Sequence, residues 1–269
     1  MNEKMGDRLK GYESQTTDTM LIPLLPAMAR LDGKNFSSFT KGLKRPYDER
    51  LSNLMIETTK YLVKETNALC GYTQSDEISL VWYSAISDSQ IYFNGRVFKM
   101  ETDLAGMSSV FFNEKLPEYL PEKVGKRPRF DTRVWNVPTL EEAANTFLWR
   151  EFDATKNSIT MASRCYYSDK TLFKLNGSQK QELLFQKGVN WNDYPSFFKR
   201  GTYIQRKKTF TKFSADEIEK LPKNHQARTN PNLEIERNVI SILDLPPLSQ
   251  VKNRVDVIIF GEEPIQEKI

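Results

Sequence analysis

The sequence predicts an α+β fold built on a β-α-β-β-α-β unit, the ferredoxin-like arrangement. Short apolar segments bounded by turn residues predict strands, and two amphipathic patterns predict helices between them. Their order along the first half is strand, helix, strand, strand, helix, strand. The second half contains helix-start signals, so we expect it to be mainly helical with extra strands.

The predicted unit begins with a strand at residues 26–32, where Met28 and Leu31 precede an Asp-Gly turn. Asp48 is a predicted helix N-cap, because apolar residues recur after it at three- and four-residue spacing. A second helix is predicted to follow Gly95. The remaining strands of the unit are predicted at residues 69–73, 78–83 and 129–137.

In the second half, capping boxes predict helix starts at residues 139–142 and 178–181. The first of these helices is expected to run through Trp149. Residues 214–232 are polar and predict a loop or linker, whereas the apolar run at 255–260 predicts a late strand.

Composition restricts the class of protein. The chain has 269 residues and a formal net charge of +4, which is too mild by itself to indicate a nucleic-acid partner. Its two cysteines are too few for a disulfide framework and fit a reducing cytosol. No stretch approaches the roughly 20 apolar residues of a membrane span, and residues 1–10 lack an apolar signal core. We therefore expect a cytoplasmic protein with no membrane partner.

The chain contains a single histidine, His225, in a polar stretch. A Ser-His-Asp triad would have to use it, and a Cys/His zinc site would have almost no ligands. Catalysis, if present, is therefore expected to depend on carboxylates, on lysine and arginine, and on a metal.

Two acidic turns are the main candidate for such a site. Asp32-Gly33 ends the first predicted strand, and Ser75, Asp76 and Glu77 connect the second strand to the third. The first and third strands of a ferredoxin-like unit are adjacent, so the carboxylates should lie close together and repel each other unless a cation is present. Each turn alone is an ordinary turn sequence. Both turns around one helix favour a site for two Mg²⁺ ions on a nucleoside triphosphate, and hence nucleotidyl transfer.

Six sequence blocks resemble the signature blocks of the tRNA(His) guanylyltransferase family. They occur in the family's order between Arg30 and Thr202, and residues after about 209 have no match. The blocks are RLDGKNF (30–36), RPYDER (45–50), GYTQSDE (71–77), FDTR (130–133), WREFD (149–153) and GVNWND (188–193).

The resemblance implies a palm-like catalytic domain at residues 1–137, with a helical and C-terminal portion at 138–269 packed against it as one unit. It implies nucleotide addition to the 5′ end of an RNA in the 3′-to-5′ direction, after ATP or an existing triphosphate has activated that end. It implies that Asp32 and Asp76 bind both Mg²⁺ ions, that Gly33 adds its carbonyl, and that Glu77 supports the site. The implied nucleotide contacts are Asp32, Gly33, Lys34, Asn35, Phe36, Ser37, Arg45, Ser75 and Asp76.

Two departures from the family pattern bear on specificity. Members that add guanosine to histidine tRNA carry a His-Ile-Asn-Asn-type motif, whereas residues 155–158 are Thr-Lys-Asn-Ser here. The chain therefore resembles the branch of template-dependent 5′-end repair polymerases more closely. Arg45 stands where the family usually has lysine, and either cation can contact a triphosphate.

Basic residues of the second half are candidate RNA contacts, because cations neutralise phosphates and aromatics stack on bases. The stretch 197–208 interleaves the two types, and an edge strand with an aromatic inner face explains it equally well. For the cations of α-helical segments, a solvated helix face is the alternative. The candidates are Arg150, Lys156, Lys199, Arg200, Arg206, Lys207 and Lys208, with Arg164 beside them.

The sequence therefore predicts a nucleotidyltransferase acting on tRNA with GTP or another nucleoside triphosphate. The alternatives are a strict tRNA(His) guanylyltransferase, a cyclase-like enzyme on the same palm, and a non-catalytic RNA-binding protein. The resemblance also implies a homotetramer.

Overall fold

A computed structural model describes residues 3–86, 90–230 and 232–266. It contains one six-stranded sheet in the order β4-β1-β3-β2-β5-β6, in which every neighbouring pair is antiparallel. The strands are β1 (Ala27–Lys34), β2 (Cys70–Gln74), β3 (Glu77–Trp82), β4 (Arg129–Asn136), β5 (Thr202–Lys212) and β6 (Glu234–Ile242).

The described residues also form α-helices of very different lengths. The long ones are α1 (Glu3–Thr17), α3 (Glu49–Glu65), α4 (Val97–Tyr119) and α5 (Leu140–Ser163). The shorter ones are α2 (Phe36–Phe39), α6 (Asp169–Leu172), α7 (Gly177–Phe185), α8 (Ser196–Arg200) and α9 (Ala215–Lys220).

The first half has the predicted order of elements, β1-α3-β2-β3-α4-β4, and its first and third strands are adjacent in the sheet. The predicted N-caps are confirmed: the Asp48 side chain accepts a hydrogen bond from the Arg50 N–H, and Thr139 accepts one from the Glu142 N–H. Both caps satisfy backbone donors that the first helical turn leaves without partners.

Alternation along the strands divides the core between the two faces of the sheet. Residues such as Ala29, Leu31 and Leu80 point to one face, where they pack with α3 and α4. Met28 and Tyr203 belong to the opposite face, whose core also takes residues from α5 and from the C-terminal segment. Because side chains alternate with a period of two, Arg30 and Asp32 lie on the α5 side together with Met28.

Several predictions for the second half are wrong. The apolar run at 255–260 is a single π-helical turn, Asp256–Phe260, with its central residues buried. A short buried run of this kind cannot be assigned from periodicity alone. The predicted loop at 214–232 contains α9, which has its own capping box at Ser214. The helix predicted from 178–181 is instead capped by Asn176 with Gln179, and its last residue is Phe185.

Other elements were incompletely predicted or missed. Helix α5 continues well past Trp149, to Ser163, and the sequence reasoning did not anticipate α1 or β6. The edge-strand alternative for the basic stretch is also wrong, because β5 lies between β2 and β6. In the part of the chain that the structure describes, no helix is long and apolar enough to cross a membrane.

Candidate active site

The acidic turns converge at one end of the sheet, beneath α5. Asp32 and Glu77 are register partners on the adjacent strands β1 and β3. The Gly33 N–H donates a hydrogen bond of 3.0 Å to the Asp76 carbonyl, which joins the two turns directly. Asp32, Asp76 and Glu77 therefore line a common cleft of about 330 Å³.

The cleft wall opposite the turns is formed by α5, which the sequence reasoning largely missed. Its contributing residues recur at three- and four-residue spacing, so they form one stripe of the helix. This spacing of polar residues is the sequence pattern from which the cleft-lining face of α5 could have been predicted. The α5 residues that line the cleft are Arg150, Asp153, Asn157, Thr160, Met161 and Arg164.

Arg150 binds Glu77 through two parallel hydrogen bonds, from Nε to Oε1 at 2.6 Å and from Nη2 to Oε2 at 2.7 Å. Its Nη2 also contacts Asp153 at 3.1 Å. Both side chains of the Arg150–Glu77 pair are largely buried. Burial raises the pKa of Glu77, and the Arg150 charge and hydrogen bonds oppose that rise. Arg150, a candidate RNA contact, is thus engaged within the cleft.

A fourth carboxylate lies beside these three, because Asp131 on β4 is the register partner of Asp32 on the side opposite Glu77. Asp131 is neutralised by Arg133 at 3.6 Å, as Glu77 is by Arg150. Asp32 and Asp76 form no ion pair among the described residues. Burial and the Asp32 charge raise the pKa of the Asp76 carboxyl. These two carboxylates are therefore close together and lack a protein cation.

Carboxylate and backbone carbonyl oxygens are the ligands that Mg²⁺ prefers, and it commonly takes only one or two carboxylates from the protein. Across the described residues, no three His, Cys, Asp or Glu side chains are grouped as a ready-made metal cluster. The donor set of Asp32, Asp76 and the Gly33 carbonyl thus fits a metal whose remaining ligands come from substrate phosphates and water.

Packing leaves no room for a side chain at Gly33, whether or not its carbonyl binds a metal. A Cβ at this position would lie 2.3 Å from Cδ2 of Phe36. Phe36 is buried at the start of α2, in a cluster with Phe39, Phe112 and Phe130. Its ring belongs to the core, so a nucleotide could reach only its backbone.

The other candidate nucleotide contacts lie around the turns and are accessible. Lys34, Ser37 and Arg45 are exposed, as are Asn35 and Ser75, which both adopt left-handed backbone conformations with φ of 60° and 56°. Asp48 holds the segment containing Arg45, because its Oδ2 accepts a hydrogen bond from the Lys44 N–H at 3.2 Å.

Arg206, Lys207 and Lys208 lie beyond the end of β2 that is remote from the acidic turn, and most charges of the basic stretch already have protein partners. Lys207 contacts Glu263 at 3.1 Å, Lys208 contacts Glu236 at 2.8 Å, and Arg206 donates to the Asn67 amide oxygen at 2.9 Å. The Lys199 ammonium donates to the Asn192 carbonyl, and burial lowers its pKa.

Arg200 and Lys156 complete the set of candidate RNA contacts. The Arg200 carbonyl accepts a hydrogen bond of 2.7 Å from the Tyr72 hydroxyl, so its backbone is fixed against β2. Lys156 is exposed on α5.

The fold and the convergent carboxylates fit the class of nucleotide-dependent transferases, and comparisons with known proteins narrow this class. Residues 6–138 match the family model for tRNAHis guanylyltransferase (Thg1). A solved bacterial tRNA(His) guanylyltransferase-like protein, in complex with ATP, is 32% identical with a TM-score of 0.76, covering 95% of this chain and 98% of its own. The chain belongs to the tRNA(His) guanylyltransferase family, whose members are nucleotidyltransferases.

Two further relatives support membership of this family. A structure of a bacterial protein of the same type in complex with GTP is 30% identical, with a TM-score of 0.69, covering 91% of this chain and 94% of its own. The tRNA(His) guanylyltransferase of Saccharomyces cerevisiae is 28% identical over 216 residues, 73% of this chain and 90% of the relative.

Proposed function

We propose that this chain is a template-dependent 3′-to-5′ nucleotidyltransferase that adds nucleotides to the 5′ end of tRNA, on a ferredoxin-like palm at residues 1–137. The observation that carries the proposal is the pair Asp32 and Asp76, two carboxylates from adjoining turns that form no ion pair with any described residue. The likeness to family structures in complex with ATP and with GTP supports nucleoside triphosphates as substrates.

In this proposal Asp32, Asp76 and the Gly33 carbonyl hold two Mg²⁺ ions. When bound, such ions lower the pKa of the attacking hydroxyl and neutralise charge on the transferring phosphoryl group. Glu77 supports the site by holding Arg150, and with it α5, against the acidic turn. In the activation step, the 5′-phosphate of the RNA would attack the α-phosphate of ATP, take up AMP and release pyrophosphate. The 3′-hydroxyl of GTP or another incoming nucleotide would then attack the activated 5′-phosphate and release AMP.

The exposed residues around the turns are proposed to hold the triphosphate. Lys34 and Arg45 supply positive charge, and Ser37 and Ser75 supply hydroxyl donors. Asn35 begins α2, where its left-handed backbone sets the direction of the chain. Lys156 and the basic residues of the 199–208 stretch are proposed to contact RNA phosphates farther away.

Specificity for template pairing is supported by residues 155–158. They carry no histidine, and Asn157 donates to Asp153 in the cleft wall at 3.2 Å. The second candidate function is strict guanylylation of histidine tRNA, favoured by the names of curated relatives such as the yeast enzyme. We also propose a homotetramer, as the family resemblance implies, and a cytoplasmic location, which the two free cysteines favour.

The test uses a set of tRNAs that lack their first nucleotide, with the opposing template base varied, together with Mg²⁺, ATP and each labelled nucleoside triphosphate. We expect the added nucleotide to follow Watson–Crick pairing, whatever the anticodon. Asp32→Asn and Asp76→Asn should each lower the rate of nucleotide addition by at least about 100-fold while the protein stays folded. Each substitution removes the negative charge of a proposed metal ligand.

Asp256→Asn is the matched control, since Asp256 is an exposed aspartate on the C-terminal turn. It should leave addition unchanged. Guanosine added whatever the template, or only to histidine tRNA, would identify a strict guanylyltransferase. A cyclic nucleotide would identify a cyclase, and bound but unchanged substrates would identify a binding protein.

A further inference from the structure

The solvent side of α5 beside the cleft carries two exposed aromatic side chains and a cation. Trp149 and Phe152 are each 54% exposed, and Lys156 is exposed as well. Their spacing of three and four residues places them in one row on the helix, about 10 Å long at 1.5 Å per residue. We call this row the α5 stripe.

The indole of Trp149 is held at the margin of the cleft by two guanidinium groups. The Arg150 carbon Cζ lies 4.6 Å from the ring centroid and that of Arg30 lies 5.9 Å away. Arg150 is itself fixed by its two hydrogen bonds to Glu77. Trp149 therefore has a defined position although more than half of it is exposed.

Arg30 supplies a positive charge beside the stripe. It forms no ion pair in the described part of the chain, whereas its register partner Arg133 is paired with Asp131 and Arg150 is paired with Glu77. Lys156 forms no ion pair within the described part of the chain. The centre of a protein–protein interface is depleted of charged residues, whereas single-stranded nucleic acid is bound by aromatic rings interleaved with cations.

We propose that the α5 stripe is a stacking platform for the end of the RNA. A base next to the reacting 5′ end stacks on Trp149, Phe152 extends the apolar surface, and Lys156 neutralises a phosphate one or two nucleotides away. The proposal rests on the proposed function, which brings the RNA end to the adjoining cleft. The proposed contact is with the face of the base and not with its hydrogen-bonding edge. Stacking on Trp149 should therefore not depend on the RNA sequence.

The experiment measures the Kd of a 5′-truncated tRNA in the absence of nucleotide, at a series of salt concentrations. Stacking on an aromatic is worth roughly 1–3 kcal/mol per base, so Trp149→Leu should weaken binding by about 5- to 150-fold. Trp149→Phe keeps a ring and should stay within about threefold of the parent. Because stacking releases no counterions, neither variant should change the slope of log K against log salt, whereas Lys156→Ala should make it shallower by about 0.7 to 0.9.

Phe173→Leu is the matched control, because Phe173 is an aromatic that is 72% exposed outside the stripe. It should bind RNA as the parent does, and the Kd for GTP should be unchanged in every variant. Should Trp149→Leu fail to fold, Phe152→Leu provides the same comparison.

Three results would overturn the platform. Trp149→Leu could bind RNA as tightly as the parent, or its affinity for GTP could fall in parallel, which would show that it acts through Arg150. Thirdly, a sedimentation coefficient of the Trp149→Leu variant that differs from that of the parent would show that the stripe is an interface between copies of the chain. Binding is measured without turnover, so a parent protein that binds RNA but adds no nucleotide would refute the proposed function and leave this comparison intact.

Discussion

At the scale of single residues, the site is organised by which carboxylates have a cation and which do not. Glu77 and Asp131 are paired with arginines, whereas Asp32 and Asp76 have no such partner in the described chain. A shared negative charge in a partly buried cleft disfavours ionisation, which is why burial and Asp32 raise the pKa of Asp76. A bound cation would relieve the repulsion between these two carboxylates. Without a cation, the repulsion lowers the stability of the folded protein.

This cost predicts a pH-dependent stability. The folded-state pKa of Asp76 is raised above its unfolded value, so the folded protein binds the extra proton between the two values, and stability falls as pH rises through that window. Asp76→Asn should therefore increase the free energy of unfolding of the metal-free protein at pH 7, and the gain should shrink as pH falls towards 3.8, the ordinary pKa of an aspartate.

Urea unfolding of both proteins in the presence of a chelator, from pH 4 to 8, measures the difference. Added Mg²⁺ should stabilise the parent and not the variant. A variant less stable than the parent at pH 7 would contradict the raised pKa.

At the scale of elements, the position of the cleft depends on the junction of β1 with α2. The chain turns at Gly33 so tightly that the Phe36 ring occupies the space of a side chain at position 33. That ring packs with Phe112 of α4 and Phe130 of β4, so the turn is fixed to the hydrophobic core. The metal-ligand candidates are held by packing on the opposite face of the sheet.

Gly33→Ala should lower the free energy of unfolding by about 1–3 kcal/mol, because the added methyl group overpacks a buried aromatic cluster. Gly106→Ala is the matched control, since Gly106 is inside α4 with no atom within 4 Å of an added Cβ. It should stabilise the protein by about 0.5–1 kcal/mol. Equal effects of the two substitutions in urea unfolding would show that Phe36 moves aside freely.

At the scale of the whole molecule, the second half of the chain completes the sheet and covers its α5 face. Strand β5 pairs with β2, and the buried carboxylate of Glu151 joins three distant segments. Its Oε2 accepts from the Tyr203 hydroxyl at 2.9 Å and its Oε1 accepts from the Leu248 N–H at 2.8 Å. The contacts of Glu151 lie within residues 138–269, whereas the pairing of β5 with β2 crosses to the first half. That pairing supports packing of residues 138–269 with 1–137 as one unit, which stays a prediction.

Glu151→Ala should lower the free energy of unfolding by about 2–4 kcal/mol, because it leaves two buried donors without an acceptor. Glu114→Ala, at an exposed position of α4, should stay within about 0.5 kcal/mol of the parent. Limited proteolysis should cut the Glu151 variant near residue 248 sooner than the control. Parent-like stability of the Glu151 variant would mean that the C-terminal segment is held by other contacts.

The sequence alone was sufficient for the order of elements in the β-α-β-β-α-β unit, for the N-caps at Asp48 and Thr139, and for the two acidic turns. These features are local: apolar periodicity, capping and turn chemistry all operate within a few residues. The family blocks added the family itself, which no local pattern carries, and the family model and the solved relatives confirm the family.

Contacts between residues far apart in the sequence could not be predicted from such local patterns. Nothing near Arg150 in the sequence indicates that it binds Glu77, which is far away along the chain and meets it only because α5 crosses the end of the sheet. Nothing near Thr202 indicates that β5 pairs with β2 and leaves β6 at the edge. Strand pairing and helix placement are decided by which surfaces bury each other in three dimensions, so the turns were predictable and the wall that encloses them was not.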